Sequence, residues 1–457
     1  MHRRQRVSLM VQPLRRLLQR GARGHAGNFV SKLHAADVAR LLTRLDEDES
    51  ADVFGLVLAD AARRAGEVLA ELEPSDVARL LEGRPDAEIA KILSEVGADD
   101  AADLVTALPE DVAERVLQQL ERTGHEEVEG LLGYDEDTAG RIMSPEVFAL
   151  HEDLTIAEAI EALRQSRSED LEMAFYLYVV DESGHLMGVC SLRDLLLRGA
   201  AERLRDVMKT RLVAVSVDTD QEEVANLVAR YNYLALPVVD HDNKLTGMVT
   251  VDDVIDIMRE EETEDILLMA GVGEDEEEVL TAPLWRNVLL RLPWLFAAWI
   301  GGVMAAQVIE HFEDLLSQMI VLAVFIPIIV GMGGNVGTQA ATIVVRGMAT
   351  GRLVAGQRTV TVFRELRVAL TLGLLFGALL GVTVYFRNPE VPALAAAVAL
   401  SLVSCMVLAA TVGASTPILL KRFGIDPAIA TGPFVTTAID VLGIVAYFSI
   451  ASFLVLS

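Results

Sequence analysis

The stretch VTTAIDVLGIV, residues 435–445, sets one carboxylate, Asp440, inside an apolar run that continues almost to Ser457. An acid held where water is scarce costs free energy, and this run contains no Lys or Arg to pair with it. Intramembrane acids of that kind mark ion or proton pathways. Thr436, Asp440, Gly443 and Tyr447 recur at spacings of three and four, so they share one helical face. Pro433 falls on the same stripe; lacking an N–H, it is expected to leave the Ile429 carbonyl without an intrahelical partner. Acid, hydroxyl and free carbonyl together make an oxygen-rich surface.

Working outward, the composition is split. The 457 residues are 52% hydrophobic yet carry a formal net charge of -28, two properties that one uniform globule does not combine. Asp and Glu crowd residues 46–278, whereas from Leu292 onward charges almost vanish. Apolar runs at 284–309, 319–345, 368–386, 393–420 and 428–456 are each long enough to cross a bilayer as a helix. The connection EHFED carries no Lys or Arg, but the next holds Arg346, Arg352, Arg358, Arg364 and Arg367, and the fourth holds Lys421 and Arg422. The positive-inside rule therefore puts the soluble half in the cytoplasm and the C-terminus outside.

The second run, PIIVGMGGNVGTQAAT (327–342), aligns Gly331, Asn335, Gln339 and Thr342, while Gly333, Gly334 and Gly337 permit close backbone approach. Ser401, Ser404, Thr411 and Ser415 mark the fourth. Polar faces on three of five spans imply a water-filled path. Mg²⁺ holds its first waters tenaciously, so such a pore can grip the hydrated ion through water while Asp440 attracts it at longer range. Residues 1–28 are basic, lack the apolar core of a secretory signal and are expected to be a solvated leader. Cys190 and Cys405 offer neither a disulfide framework nor metal-ligand spacing, in keeping with a reducing compartment.

The soluble half holds two repeats. ADVARLL (36–42) returns as SDVARLL (75–81) and more loosely as DDAADLV (99–105), short amphipathic helices joined by acidic and Gly/Pro turns. Residues 29–137 thus read as a helical superhelix. The second repeat is mixed: MSPEVFALHEDLTIAEAI (143–160) matches MKTRLVAVSVDTDQEEVA (208–225), and YVVDESGHLMGVCSLRDLL (178–196) matches PVVDHDNKLTGMVTVDDVI (237–255). Strand, turn, strand and capped helix recur in order. These units resemble a tandem pair of α/β CBS modules, over 138–205 and 206–258. The resemblance implies an adenine nucleotide such as ATP as ligand, held by a G-x-x-T/S-x-x-D element. Its counterparts here are Gly188, Ser191 and Asp194 in the first module and Gly247, Thr250 and Asp253 in the second. The same residues serve equally well as helix caps.

Between the second module and the first span, an acidic connecting helix over 259–283 carries Glu260, Glu261, Glu262, Glu264 and Asp265 within two turns. Such carboxylates repel unless a cation shields them, and Mg²⁺ suits loosely converging oxygens because it keeps part of its water. A charge-controlled change in packing at this position would be transmitted to the spans. Asp218, Asp220, Asp252, Asp253 and Asp256 are candidate partners in that sensor.

The whole order, superhelix, CBS pair, acidic helix, then five spans bearing GGNVGTQ (333–339) and GPFVTTAIDVLG (432–443), resembles the MgtE family of magnesium channels. That resemblance implies a multidomain protein with an all-α membrane domain over 284–457 in a bacterial cytoplasmic membrane. It implies a homodimer whose pore, near the two-fold axis, uses Asp440 of both subunits, and a plug helix closed by cytoplasmic Mg²⁺ and released when the ion is scarce. Asp426 in GIDPA matches the family position that attaches the plug through Mg²⁺, with Glu264 or a neighbouring Glu as partner. Two rivals remain at this stage: a proton-coupled cation transporter, and a nucleotide sensor that transports nothing. An aspartyl hydrolase is disfavoured, since it needs two carboxylates sharing a proton and these runs offer only Asp440 at depth. Nothing in the sequence suggests a nucleic acid partner.

Overall fold

The computed structural model describes residues 2–166, 176–273, 279–280, 282–353, 356 and 358–455. The chain divides into two compact units, Met1–Ile257 and Met258–Ser457.

The first unit begins with ten helices: α1 (His2–Gln19), α2 (Arg23–Val30), α3 (Ala35–Leu42), α4 (Glu47–Asp60), α5 (Ala62–Ala70), α6 (Pro74–Leu81), α7 (Asp86–Leu93), α8 (Ala98–Thr106), α9 (Glu110–Leu117) and α10 (Arg122–Leu132). Most span two or three turns, too short to persist alone, so each depends on burying its apolar stripe against the next. The repeated heptapeptides do this alike: α3 buries Val38, Leu41 and Leu42, and α6 buries Val77, Leu80 and Leu81. Helix starts follow from sequence, as where Asp46 accepts from the Glu49 N–H (2.9 Å) to open α4 and Pro74 opens α6. The basic leader is not a solvated extension. Leu14 of α1 is fully buried in the helical core, Arg15 bonds Glu49 at 2.7 Å, and Arg23 bonds Asp52 at 2.9 Å. An amphipathic stripe too weak to read in so basic a segment gains its partners from the acidic face of α4.

After α11 (Ala139–Ile142) come two α/β modules. The first has β1 (Ala149–His151), α12 (Ile156–Gln165), β2 (Tyr176–Val180), β3 (Leu186–Ser191), α13 (Leu192–Leu197) and the short α14 (Leu204–Val207). The second has β4 (Val215–Ser216), α15 (Gln221–Tyr231), β5 (Ala235–Val239), β6 (Leu245–Thr250) and α16 (Val251–Ala270). Each sheet has three strands, the first pair parallel and the second antiparallel, with the same irregularity pairing Val180 with Leu186 and Val239 with Leu245. The modules also interlock. Ser144, which precedes the first module's sheet, bridges to Met248 of the second, and Lys209, ahead of the second, bridges to Val189 of the first. This explains the motif glycines: a Cβ at Gly188 would lie 2.8 Å from the Met208 sulfur, and one at Gly247 would lie 2.6 Å from that of Met143.

Helix α16 carries the acidic run but stops at Ala270, earlier than the expected helix over 259–283. Gly271 adopts a left-handed φ of +67°, its N–H bonds the Leu268 carbonyl (3.0 Å), and Val272 N–H bonds that of Leu267 (3.2 Å). That pair of bonds is a Schellman stop. Residues 274–278 and 281, the rest of the acidic connection, lie outside the described residues.

Among its described residues the second unit has five helices long and apolar enough to span a membrane, counting the short 3₁₀ lead-ins of the second and last. They are α17 (Leu284–His311), α19 (Ile326–Ala349), α20 (Arg358–Arg387), α21 (Pro392–Arg422) and α22 (Pro433–Val455), with the short α18 (Glu313–Gln318) after the first. Helix α21 is the core: 56% of its most apolar window is buried, against 11% for α17. Close packing rests on glycine, as the second span's pattern suggests. A Cβ on Gly337 of α19 would sit 3.1 Å from the Ala409 carbonyl of α21, and one on Gly413 would meet the Gly337 backbone. Since backbone cannot rotate aside, Gly413→Val should cost at least ~1–3 kcal/mol despite the better helix propensity of Val. The expected result is a lower melting temperature and a smaller monodisperse fraction in detergent. A wild-type profile would mean that α19 and α21 do not touch there.

Candidate functional site

Asp440 lies on α22, two turns after the helix begins. Pro433 is the first residue of that helix rather than an interior one, because residues before it form a separate 3₁₀ turn, Pro427–Thr431, and Gly432 is extended. The expectation that Pro433 frees the Ile429 carbonyl inside a continuous helix is thus corrected. Proline at a helix start forfeits no bond, and Ile429 belongs to the turn before it. Thr436 Oγ1 donates to the Pro433 carbonyl at 3.1 Å, closing the first turn. Asp440 is half-buried and, among the described residues, has no ion-pair or hydrogen-bond partner.

Its depth is fixed by its neighbour. Ile439 fills the notch left by Gly333 and Gly337, with its Cγ2 3.4 Å from where a Gly333 Cβ would stand. Asp440 therefore lies level with Asn335. Gly331, Asn335, Gln339 and Thr342 form one exposed face of α19, opposite buried Gly333, Val336, Gly337 and Ala340. Cys405, unremarkable in the sequence, sits where three helices meet. It donates to the Ile329 carbonyl at 3.5 Å, and a Cβ at Gly443 would lie 2.9 Å from its sulfur. Tyr447 leaves the polar stripe for structure: its buried hydroxyl donates to the Leu322 carbonyl at 2.8 Å. Helix α20 starts ten residues before the expected span, which brings Glu365 into it as a second, buried carboxylate, 3.8 Å from Arg364.

Two groups of acids occur elsewhere. In the second unit, Asp265 of α16 is pushed up to about 6, first by burial and then by Asp426, while Arg346 and Lys421 oppose the shift. Asp265 therefore stands near Asp426, an acid that joins the glutamates expected there. Asp426 itself accepts from the Ala428 N–H at 2.5 Å, and Glu262 bonds Arg346 at 2.9 Å. Glu260, Glu261 and Glu264 stand on the same helix, Glu260 exposed and the other two half-buried.

In the first unit, Asp253 is pushed up to about 7 by burial, with further contributions from Asp99 and Asp252. Asp99 is raised too, chiefly by burial, and nearby Asp103, exposed on the same helix, pairs with Arg141 at 2.9 Å. The α8 acids were not singled out from sequence, because only the fold brings α8 to the start of α16. Asp256 is exposed on α16; Asp218 faces His241 at 3.6 Å, and Asp220 caps α15 through the Glu222 N–H at 2.8 Å. Among the described residues no three acidic, His or Cys side chains converge as a full ligand set. Paired carboxylates in partly desolvated places nevertheless suit Mg²⁺, which binds through one or two carboxylates and keeps its remaining waters.

Both nucleotide motifs form helix caps. Ser191 accepts from the Asp194 N–H at 3.1 Å while Asp194 accepts from the Ser191 hydroxyl at 2.7 Å, and the Thr250 hydroxyl donates to the Asp253 carboxylate. They differ in surroundings. Asp194 is held below the usual range by Ser191 and by Lys209, 3.8 Å away, whereas Asp253 faces other acids.

Comparison with known proteins matches each part. A family described as a divalent cation transporter matches residues 326–450, the MgtE intracellular N domain matches 33–137, and CBS domains match 139–200 and 204–260. The magnesium transporter MgtE of Thermus thermophilus is 40% identical over 344 residues, 75% of each chain, and that of Bacillus subtilis is 36% identical over 339 residues, 74% of each. A crystal structure of the cytosolic domain of the Mg²⁺ channel MgtE in complex with ATP is 38% identical, covers 54% of this chain and 99% of its own, and aligns with a TM-score of 0.51. A CBS pair beside a helical domain, and five apolar helices that include the partly buried Asp440, define a membrane transport protein with a soluble N-terminal half. The chain belongs to the MgtE family.

Proposed function

We propose that the protein is a Mg²⁺-selective channel that imports the ion across a bacterial cytoplasmic membrane. The observation that carries the reading is Asp440, without a partner among the described residues and level with the polar face of Asn335 and Gln339. A stripe of amides on the outside of one chain's bundle is costly against lipid, so a second copy completes the path and Asp440 of both lines it. The name shared by the two curated relatives supports magnesium as cargo. Arg346, Arg352, Arg358, Arg364, Arg367, Lys421 and Arg422 orient the soluble half to the cytoplasm.

Gating follows from the acids. At high cytoplasmic Mg²⁺, Asp265 with Asp426, and Asp99 with Asp252 and Asp253, would hold the ion, whose charge would offset their repulsion and keep the connecting helix in place; at low Mg²⁺ these acids would repel and release it. Asp256 and the glutamates of α16 add to the local field.

The deciding experiment is Mg²⁺ uptake into proteoliposomes under an imposed voltage, with and without a pH gradient. Voltage-driven uptake that ignores the pH gradient is expected. Uptake that requires the gradient would favour a proton-coupled transporter, and no uptake even at low Mg²⁺ on both faces would favour a sensor. ATP, found in the related cytosolic domain, is assigned to Ser191 and Asp194, because a polyphosphate is better received beside Lys209 than beside Asp99 and Asp252. Asp194→Ala should weaken ATP binding about ten-fold, the worth of a hydrogen bond to a charged group, and Asp253→Asn should not. Isothermal titration measures both; the reverse pattern would move the nucleotide to the second module.

A further inference from the structure

We propose that Arg346 is a positioning residue for the connecting helix, an internal counter-cation that seats α16 on the membrane unit without metal and so sets how much Mg²⁺ closure requires. This rests on the gating reading above. Glu262 was a candidate metal ligand by sequence, yet its carboxylate is taken by Arg346, the last basic residue of α19, at 2.9 Å. The pair does not stand alone. Nearly two turns further along α16, Leu268 is buried with Val345, which precedes Arg346, and with Ala428, which follows Asp426. Met269, Trp294 and Ile429 surround that contact. Gly271, where α16 stops, fits against Pro433: a Cβ there would lie 3.2 Å from its Cδ.

The seat thus has an apolar part, a mixed-charge part in Glu262 and Arg346, and a like-charge part in Asp265 and Asp426. Only the last needs a divalent ion. Arg346 and Lys421 also bear on Asp265. The arginine therefore attracts the helix through two acids, and the metal finishes a closure that the pair has already biased.

The test compares wild type, Glu262→Gln, Arg346→Gln and the exchange Glu262→Arg with Arg346→Glu. One readout is the internal Mg²⁺ concentration that halves flux in proteoliposomes. The other is hydrogen exchange of the amides of residues 258–270 in EDTA, which needs no flux. Both single variants should need about two- to five-fold more Mg²⁺ to close and should exchange faster by a similar factor, as expected for a half-exposed pair. The exchange variant should restore both values, and the differences should shrink in 0.5 M salt. A mere packing role for the arginine stem would not be rescued by moving the charge. Unchanged singles, failure of the exchange, or closure of Arg346→Gln at lower Mg²⁺, the mark of a simple competitor with the ion, would each overturn the proposal. If wild-type flux ignores internal Mg²⁺, the gating reading fails, and hydrogen exchange alone then decides whether the pair seats the helix.

Discussion

Asp440→Asn is expected to reduce voltage-driven Mg²⁺ flux at limiting Mg²⁺ by at least about ten-fold and to let monovalent cations compete. The side chain keeps its size and loses only its charge. A carboxylate acting on a divalent ion through one water, ~5 Å away at an effective dielectric near 20, contributes several kcal/mol before screening, and ~1.4 kcal/mol is already ten-fold in rate. In the proposed dimer a second Asp440 would add to the effect. Folding should not suffer, because with no partner for Asp440 among the described residues, neutralising a half-buried charge removes no contact. Melting at or above the wild-type temperature together with lost selectivity would assign the acid to the ion. Unchanged flux and selectivity would leave Asp440 a structural feature and take the pore elsewhere, with Glu365 as the next carboxylate to examine.

What could be read from the chain depended on range along it. The five spans, both CBS modules and the heptapeptide helices were legible because each is written in a local period or an internal repeat. Gly333 and Gly337 were legible as close approaches, though not their partners Cys405, Ala409 and Gly413, which lie some seventy residues away. The helix break at Gly432 was missed because an apolar run gives no sign of a 3₁₀ turn, and Pro433 reads alike at a helix start and inside one. The leader was missed for a related reason: Arg15 of its helix α1 is bonded by Glu49, an acid of α4 distant along the chain. Asp99 joins Asp252 and Asp253 only across the fold, and that Asp265 lies near Asp426 depends on helix phase, which a run of consecutive acids cannot reveal.

The second large effect concerns Asp253 and runs through pH. Its carboxyl is raised to about 7, whereas in the unfolded chain it titrates near ~3.9. The native state therefore holds a proton that the unfolded state has lost, and stability falls as pH rises between those values and is flat above them. Asp99, also raised, acts in the same direction. Without Mg²⁺ the soluble unit should thus melt lower at pH 8 than at pH 5.5, and Mg²⁺ should reverse the loss at pH 8 by replacing the proton. Asp253→Asn mimics the protonated form and its amide oxygen can still accept from Thr250. In EDTA at pH 8 the variant should gain on the order of 2 kcal/mol, or about 4–8 °C for a unit of this size. Its response to pH should flatten and its stabilisation by Mg²⁺ should shrink. Thermal unfolding followed by far-UV circular dichroism distinguishes the outcomes. A variant that melts lower than wild type in EDTA would mean that the charged carboxylate is already satisfied without a metal, and the ion would then have no reason to bind between α8 and α16.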